Sequence, residues 1–232
     1  MSILSALLAI LGCKNKNQKE NSEFKSEQPE GFTEIKTGDS GNVQLNIEHD
    51  STYFLPIIRN FKDEDLACQT IVYEKLGKNI GAFLAKVEVK PDGRTGINYV
   101  LKSHLEKYKI SEKDILNIGL HNLANAKLKI EGMNDSITGD NMVSITSELG
   151  LATSILFDFN FIDKIKTDLN AKELHVTIIN SGTVFLTTPN NSFEAGFKEI
   201  ALETNYNDVI NINSATYLWK NHSLELIKMY RE

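Results

Sequence analysis

The pattern that most constrains the fold is a β-hairpin signal near the C-terminal end of this 232-residue chain. Leu174, Val176 and Ile178 alternate with polar residues, an Asn-Ser-Gly triplet follows, and a second apolar run returns over residues 183–188. Alternation with a period of two places one face of a strand against a core, and Asn, Ser and Gly favour turns. The pattern therefore predicts two antiparallel strands that share one buried face.

Similar short patterns divide the rest of the chain into further strands and helices, because period-two alternation indicates strands and spacings of three and four indicate helices. Strands are predicted over residues 43–47, 53–58, 67–76, 82–89 and 142–146, with a closing hairpin over 215–229 about His222. Helices are predicted over residues 97–108, 111–127, 149–157 and 161–169, with another beginning after Asn191. Turn or loop chemistry is predicted at residues 91–93 and 133–141. The prediction is an α+β fold, a single domain with a mixed, mainly antiparallel sheet and several packed helices.

Two residues add detail to this prediction. Pro56 has no N–H to give to a sheet, so it places residues 53–58 at a sheet edge, a bulge or a strand end. Ser111 is a predicted N-cap of the helix over 111–127. The apolar face of that helix is predicted to carry Ile115, Gly119, Leu123 and Ala126.

The N-terminal residues 1–13 are typical of a bacterial lipoprotein leader. The apolar run over residues 3–11 is too short to cross a bilayer as a helix but suits the apolar core of a signal peptide. The tetrapeptide ILGC, which ends at Cys13, resembles a lipobox, in which a small residue precedes the cysteine that is acylated. Cys13 is therefore the predicted site of lipidation, and the predicted location is the cell envelope.

Residues 14–31 are predicted to form a disordered tether between this anchor and a folded domain over 32–232. The stretch KNKNQKENSEFKSEQPE has one aromatic residue and no aliphatic ones, so it buries too little surface to offset its ordering entropy. The alternative is a cytoplasmic protein whose N-terminal residues form an amphipathic or buried helix.

Charge and cysteine content restrict the classes of function. The formal net charge is −6, and no basic cluster is present to hold a phosphate backbone, so no nucleic-acid partner is expected. The two cysteines, Cys13 and Cys68, are too few for the disulfide framework of a small secreted scaffold.

Recognised catalytic and metal-binding motifs are missing from the sequence. Residues 38–41 read GDSG, as around the nucleophile of trypsin-like proteases, but that fold presents its His and Asp before the serine, and no histidine precedes His49. The five histidines have no ligand spacing, and the oxygen-rich stretch 134–141 lacks the acidic spacing of an EF-hand loop. No metal, cofactor or catalytic residue is predicted.

Arg59 and Asn122 are the two polar residues that form a candidate polar site. Arg59 ends an apolar run, and Asn122 borders the apolar face of the helix over 111–127, close to Gly119. The alternative interpretation is that the two residues form a buried, hydrogen-bonding pair of structural polar groups.

Three stretches between Ser51 and Met229 follow one another as in a known family. Residues 53–59, which read YFLPIIR, are similar to a Pro-x-x-Arg segment, and Asn122-Leu123 matches an Asn-Leu pair. Residues 150–156 followed by 173–186 resemble a helix and a hairpin. The order of these stretches resembles the YtpQ-like family of bacterial proteins of unknown function. That family's hairpin turn often carries a Pro and an Asp that this chain lacks, and the resemblance implies the order of elements but no chemistry.

Three hypotheses for function follow from the sequence. A non-enzymatic binding or interaction module is favoured by the absence of a catalytic constellation. A hydrolase-type enzyme whose residues meet only in the fold is the second hypothesis, and an acidic, immunity-type inhibitor of a basic partner is the third. The expected partners are the membrane, through the lipid anchor, and an unknown protein or small molecule.

Overall fold

The computed structural model describes residues 50–62, 66–89, 94–204, 210 and 212–230, which form one sheet of ten strands with helices on its faces. The strands are β1 (Phe54–Asn60), β2 (Tyr73–Gly77), β3 (Ile80–Val89), β4 (Thr95–Tyr99), β5 (Leu128–Asn134), β6 (Asn141–Ser147), β7 (Leu174–Asn180), β8 (Thr183–Thr187), β9 (Ala215–Lys220) and β10 (Ser223–Met229). The α-helices are α1 (Leu66–Thr70), α2 (Lys102–Tyr108), α3 (Glu112–His121), α4 (Phe159–Asp168) and α5 (Glu194–Glu203). Short 3₁₀ helices cover Ser51–Tyr53, Asn122–Ala126 and Ala152–Phe157. The predicted class, a single α+β domain with a mainly antiparallel sheet, is confirmed.

The strand order divides the sheet into two groups that meet at one residue pair. The order is β1-β3-β2-β10-β9-β7-β8-β6-β5, and β4 pairs with β3 on the same edge as β2. Every neighbouring pair is antiparallel except β2 and β10, which run parallel and, among the described residues, share one ladder pair, Gly77 with Leu224. A Cβ atom at Gly77 would overlap the carbonyl oxygen of Leu224, so a glycine is required at this junction.

The main core spans both groups of strands. Buried side chains from β1, β2 and β3, such as Leu84, belong to the same cluster as Val176 of β7 and Tyr217 of β9. Helices α2, α3 and α4 and the 3₁₀ helix Ala152–Phe157 add their apolar side chains to it. Side-chain packing therefore unites the two groups into a single domain.

Helix α5 packs on the opposite face of the sheet. Alternate residues of β8 divide between the two faces, so Val184 and Leu186 enter the main core while Phe185 points away from it. Phe185 stacks on Phe197 of α5 with a centroid distance of 5.1 Å. The predicted hairpin of β7 and β8 is thus confirmed, with helices covering both of its faces.

Helix α3 begins where the sequence predicts, but it ends before the predicted last residue. The Ser111 side chain accepts a hydrogen bond from the backbone N–H of Asp114, as an N-cap does. The predicted apolar face is buried, and Gly119 lies against Leu84 so closely that a Cβ there would be 2.6 Å from Leu84 Cδ1. The chain then tightens into the 3₁₀ helix Asn122–Ala126 instead of continuing as an α-helix to residue 127.

Four further predicted elements differ from the structure, the first being the helix predicted over 149–157, which is the 3₁₀ helix Ala152–Phe157. The strand predicted over 67–76 is helix α1 followed by β2, and the helix predicted over 97–108 is β4 followed by α2. The loop predicted over 133–141 is the end of β5, a turn and the start of β6. Its polar composition is explained by exposure, because β5 is a sheet edge that has no fully buried residue.

Pro56 lies in the edge strand β1, the first of the three alternatives that its chemistry allows. The predicted leader, the tether, the GDSG tetrapeptide, the strand over 43–47 and the turn over 91–93 lie outside the described residues.

Candidate anion-binding site at Arg59

Four aromatic rings form a cluster on one face of the strands around β3. We call Phe61, Tyr73, Phe83 and Tyr99 the aromatic cluster. Tyr73 stacks on Phe83 at a centroid distance of 5.0 Å, and Phe61 and Tyr99 meet Phe83 edge-on at 5.9 and 6.3 Å. Phe83 is fully buried, while the two tyrosines are half-buried and present polar tips. The cluster therefore offers a stable platform of π-faces near solvent.

The Arg59 guanidinium lies over this platform. Its Cζ atom is 5.3 Å from the centroid of the Phe83 ring and 5.7 Å from that of Tyr99, within the range of cation–π attraction. Arg59 is on β1 and Tyr99 is on β4, and these strands flank β3 on opposite edges. The side chain therefore reaches across β3, and the two rings fix where its charge lies.

The Arg59 charge is not neutralised within the described part of the chain. No carboxylate there lies within 4.0 Å of the guanidinium, and the buried Nε atom has no hydrogen-bond partner. A buried N–H without an acceptor costs about 1–3 kcal/mol. The guanidinium is thus an oriented cation whose Nε–H has no acceptor among the described residues.

Gly81 makes room for this arrangement. It lies opposite Arg59 in the pairing of β1 with β3. A Cβ atom at Gly81 would be 3.1 Å from Phe61 Cε1 and 3.3 Å from Tyr73 Cδ2. A side chain at this position would push those two rings away from the sheet.

Two lysines lie at the rim of the aromatic cluster. Lys75 Nζ is 5.8 Å from the Phe61 centroid, and Lys102 Nζ is 5.8 Å from that of Tyr73. Lys102 also faces Glu112 at 3.6 Å. The two ammonium groups therefore lie beside the same aromatic cluster that holds the Arg59 guanidinium.

Asn122 does not join Arg59. Its Nδ2 atom donates to the backbone carbonyl of Phe54 at 3.1 Å, five residues before Arg59 on β1 and so about 16 Å away along the strand. Asn125 donates in the same way to the carbonyl of Thr52 at 2.9 Å. The two asparagines hold the start of β1, and Asn122 forms neither a shared site nor a hydrogen-bonding pair with Arg59.

Of the two cysteines, Cys68 lies in the described part of the chain. Cys68 is a free thiol on α1, and its half-buried side chain packs against the aromatic cluster. Cys13 lies outside the described residues.

The histidines and acidic loops form separate polar networks. His175 Nδ1 pairs with Glu194 Oε1 at 2.5 Å, and His222 Nε2 pairs with Asp163 Oδ2 at 2.9 Å. In the turn between β5 and β6, the Asp135 carboxylate accepts hydrogen bonds from the Ile137 N–H and the Ser192 hydroxyl, which hold its pKa below the usual range. Among the residues that the structure describes, no three His, Cys, Asp or Glu side chains come together as metal ligands would.

Sequence reasoning identified Arg59 but not the rings beneath it. Phe83 lies in the strand predicted over 82–89, whereas Tyr99 falls in a segment that was predicted as helix. The alternation of Ile97 and Tyr99 is the signal that indicates the β4 strand.

Comparisons with family models, curated proteins and solved structures give no match to this chain. None of the helices in the described ranges has the length and apolar character needed to span a bilayer. We therefore infer function from the geometry at Arg59.

Proposed function

We propose that this chain is a non-enzymatic binding module that binds an anionic group of its ligand at Arg59. The observation that carries the proposal is a guanidinium held over Phe83 and Tyr99 without a carboxylate partner in the described residues. A guanidinium presents planar, paired donors that match the two oxygens of a carboxylate or a phosphate. A ligand of that kind would supply the missing acceptors.

The same geometry favours binding over catalysis. A guanidinium remains protonated at all ordinary pH values, so Arg59 acts as a fixed positive charge and not as an acid or a base. The pairs His175–Glu194 and His222–Asp163 lie on β7 with α5 and on the β9–β10 turn with α4. Neither pair is part of the surface around β3 that carries Arg59.

Attachment to the bacterial cell envelope through Cys13 is part of the proposal. It is supported by the apolar run over residues 3–11, the ILGC tetrapeptide and the polar stretch after it. A tether of about 18 residues would let the domain reach ligands some distance from the membrane surface.

The test observes the arginine side chains directly by NMR. The chain has only three arginines, Arg59, Arg94 and Arg231, so their Nε–Hε resonances can be assigned by replacing one at a time. The full-length protein is titrated with inorganic phosphate in one series and with acetate in another. We expect a saturable shift of the Arg59 resonance in at least one series, with smaller and unsaturated shifts for the other two.

Two variants sharpen the test. Arg59→Lys keeps the charge but loses the paired donors, so binding should weaken about tenfold or more. The matched control Arg94→Lys should bind as the wild type does. Equal shifts at all three arginines, or no saturation with either anion, would contradict the proposed site.

A further inference from the structure

Strand β5 forms one end of the sheet, and its outer edge is unpaired among the residues that the structure describes. Its seven residues pair with β6 along the inner edge. On the main-core face of β5, Ile130 remains 45% exposed, and a Cβ atom at Gly132 would have no neighbour within 4 Å. The middle of this strand is therefore open along its edge and on one face.

The main-chain groups at this edge belong to alternate residues. The Asp135 N–H donates to the Asp140 carbonyl at 2.8 Å, so these two residues form a hydrogen-bonded pair at the turn end of the β5–β6 ladder. In an antiparallel ladder, such pairs alternate with pairs whose N–H and C=O groups point away from the partner strand. The N–H and C=O groups of Leu128, Ile130 and Gly132 therefore point outward from the sheet.

Both ends of β5 lead away from the outer edge. The Ala126 carbonyl accepts a hydrogen bond from Ser147 Oγ at 2.6 Å, and Ser147 lies opposite Leu128 at the end of β6. The chain therefore enters β5 from the side of β6. After β5, the turn is held by Ser192, whose hydroxyl donates to Asp135 at 2.8 Å just before α5 begins.

We propose that β5 pairs with β5 of a second copy of the chain, in antiparallel orientation about a two-fold axis at Ile130. Ile130 then lies opposite Ile130 of the second copy, and Leu128 lies opposite Gly132. Since these are the residues whose main-chain groups point outward, each N–H meets a carbonyl across the interface. The space above Gly132 accepts the Leu128 side chain, and the symmetry gives this contact twice.

The charges of β5 favour this register over the other symmetric ones. Lys129 and Glu131 pair with each other at 3.0 Å, and their side chains remain 67% and 40% exposed. With the axis at Ile130, Lys129 of each copy lies opposite Glu131 of the other, so the four charges alternate in sign and both existing pairs are kept. An axis at Lys129 or at Glu131 would set like charges opposite each other. An axis at Gly132 would set Glu131 opposite Met133.

The same features favour a second copy over an unrelated strand. The order Lys-Ile-Glu is complementary to itself when it is reversed, whereas charged side chains on an edge strand oppose pairing with an arbitrary partner. The contact is short, so the dimer is weak and becomes populated when the chains are concentrated. Because the aromatic cluster lies on β1 to β4, the dimer would carry two Arg59 sites and could bind a ligand at both.

The first test is sedimentation equilibrium of the full-length chain in detergent micelles with charge-reversal variants. Lys129→Glu or Glu131→Lys alone places like charges opposite each other at two positions and should raise the Kd of the dimer about tenfold. The double variant Lys129→Glu with Glu131→Lys restores the alternation and should return the Kd to near the wild-type value. Lys172→Glu, an equal change of net charge at an exposed residue outside β5, should leave the Kd unchanged.

The second test addresses the main-chain pairing. Ile130→Pro removes an outward N–H, and proline is tolerated in edge strands where the N–H faces solvent. The variant should fold but remain monomeric at concentrations at which the wild type dimerises. Ile130→Thr keeps the N–H and should still dimerise. If the proline variant does not fold, as circular dichroism would show, the charge variants alone decide.

Three results would show that the proposal is wrong. A wild-type chain that remains monomeric at about 1 mM does not use this edge, since even weak association is visible at that concentration. A dimer that tolerates both single reversals, or that the double reversal does not restore, is held by a different surface. The same conclusion follows if a folded Ile130→Pro variant dimerises as the wild type does.

Discussion

Trp219 and His222 meet at one carboxylate, that of Asp163 on α4. The indole Nε1–H donates to Asp163 Oδ1 at 2.8 Å, and His222 Nε2 lies 2.9 Å from Oδ2. His222 also stacks on Phe159 at 5.2 Å. Both Asn221 and His222 have positive φ, a conformation in which the second turn residue is usually glycine. The contacts of the imidazole with Asp163 and Phe159 offset the cost of placing a histidine there.

This carboxylate predicts a dependence of stability on pH. The hydrogen bond from Trp219, followed by that from His222, holds the pKa of Asp163 below its usual value. A lowered pKa in the folded state contributes stability above the unfolded pKa of about 3.9, and that contribution is lost as the pH falls through the folded pKa. We expect Asp163→Asn to destabilise the protein at pH 7, with the difference from wild type shrinking below about pH 4.

Urea unfolding followed by the fluorescence of Trp219, the only tryptophan, measures this difference at each pH. Asp168→Asn is the matched control, because Asp168 lies on the same helix but only pairs with Lys164 at the surface. A difference between Asp163→Asn and wild type that is the same at pH 7 and pH 3 would show that the carboxylate charge is not involved.

Elements with a local signal were predictable from the sequence, and those defined by distant pairing were not. The caps and apolar faces of α3 and the β7–β8 hairpin depend on residues close in the chain, and both are confirmed. Helix α1 is only five residues long, and its sequence LACQT also suits a strand. β5 carries little apolar alternation because it is an exposed edge.

The residues of the candidate site were likewise only partly predictable from the sequence. Arg59 stands out in the sequence because it ends an apolar run, but its partners Phe83 and Tyr99 are contributed by β3 and β4. Their proximity depends on the pairing of three strands, which a single sequence does not specify. A bulge in β10 is likewise visible only in the register with β9.

At the scale of strands, the junction of β2 with β10 predicts unequal effects of two glycine substitutions. Gly77→Ala places a methyl group against the Leu224 carbonyl. The backbone at Leu224 cannot move away from that methyl group as a flexible side chain could. Overpacking of this kind typically costs about 1–3 kcal/mol. Gly132→Ala in β5 is the control, because a Cβ there has no neighbour within 4 Å.

The free energies of unfolding of both variants can be compared in urea. Gly132→Ala should be neutral or stabilising by up to about 1 kcal/mol, since alanine restricts the unfolded chain more than glycine does. Equal stabilities for the two variants would mean that β2 and β10 do not approach each other as closely as described.

For the whole molecule, the proposed anchor predicts that one cysteine determines location. The full-length protein expressed in a bacterium should fractionate with membranes and partition into detergent, because several acyl chains on Cys13 would hold it stably. Cys13→Ser should release the protein or leave an uncut precursor. Cys68→Ser should do neither, because that thiol packs within the folded domain against the aromatic cluster.

Fractionation followed by mass spectrometry of the N-terminal peptide tests whether Cys13 is acylated and anchors the protein. If the wild-type protein were found in the cytosolic fraction with Met1 intact, the predicted attachment to the cell envelope would be wrong. The proposed anion-binding site at Arg59 would be unaffected by that result.

The junction at Gly77 and Leu224 also determines where the sheet would separate if a mechanical force were applied to the molecule. Within β1 to β4, and again within β5 to β10, continuous ladders of main-chain hydrogen bonds resist separation of the strands. Across the junction, the described residues provide one ladder pair and a few side-chain hydrogen bonds, such as that from Ser223 Oγ to the Leu76 carbonyl at 3.0 Å, so most of the resistance comes from side-chain packing in the main core. Packed interiors tolerate little displacement before their contacts are lost. A pulling force applied to the two groups of strands would therefore part them along this seam, each leaving as an intact sheet.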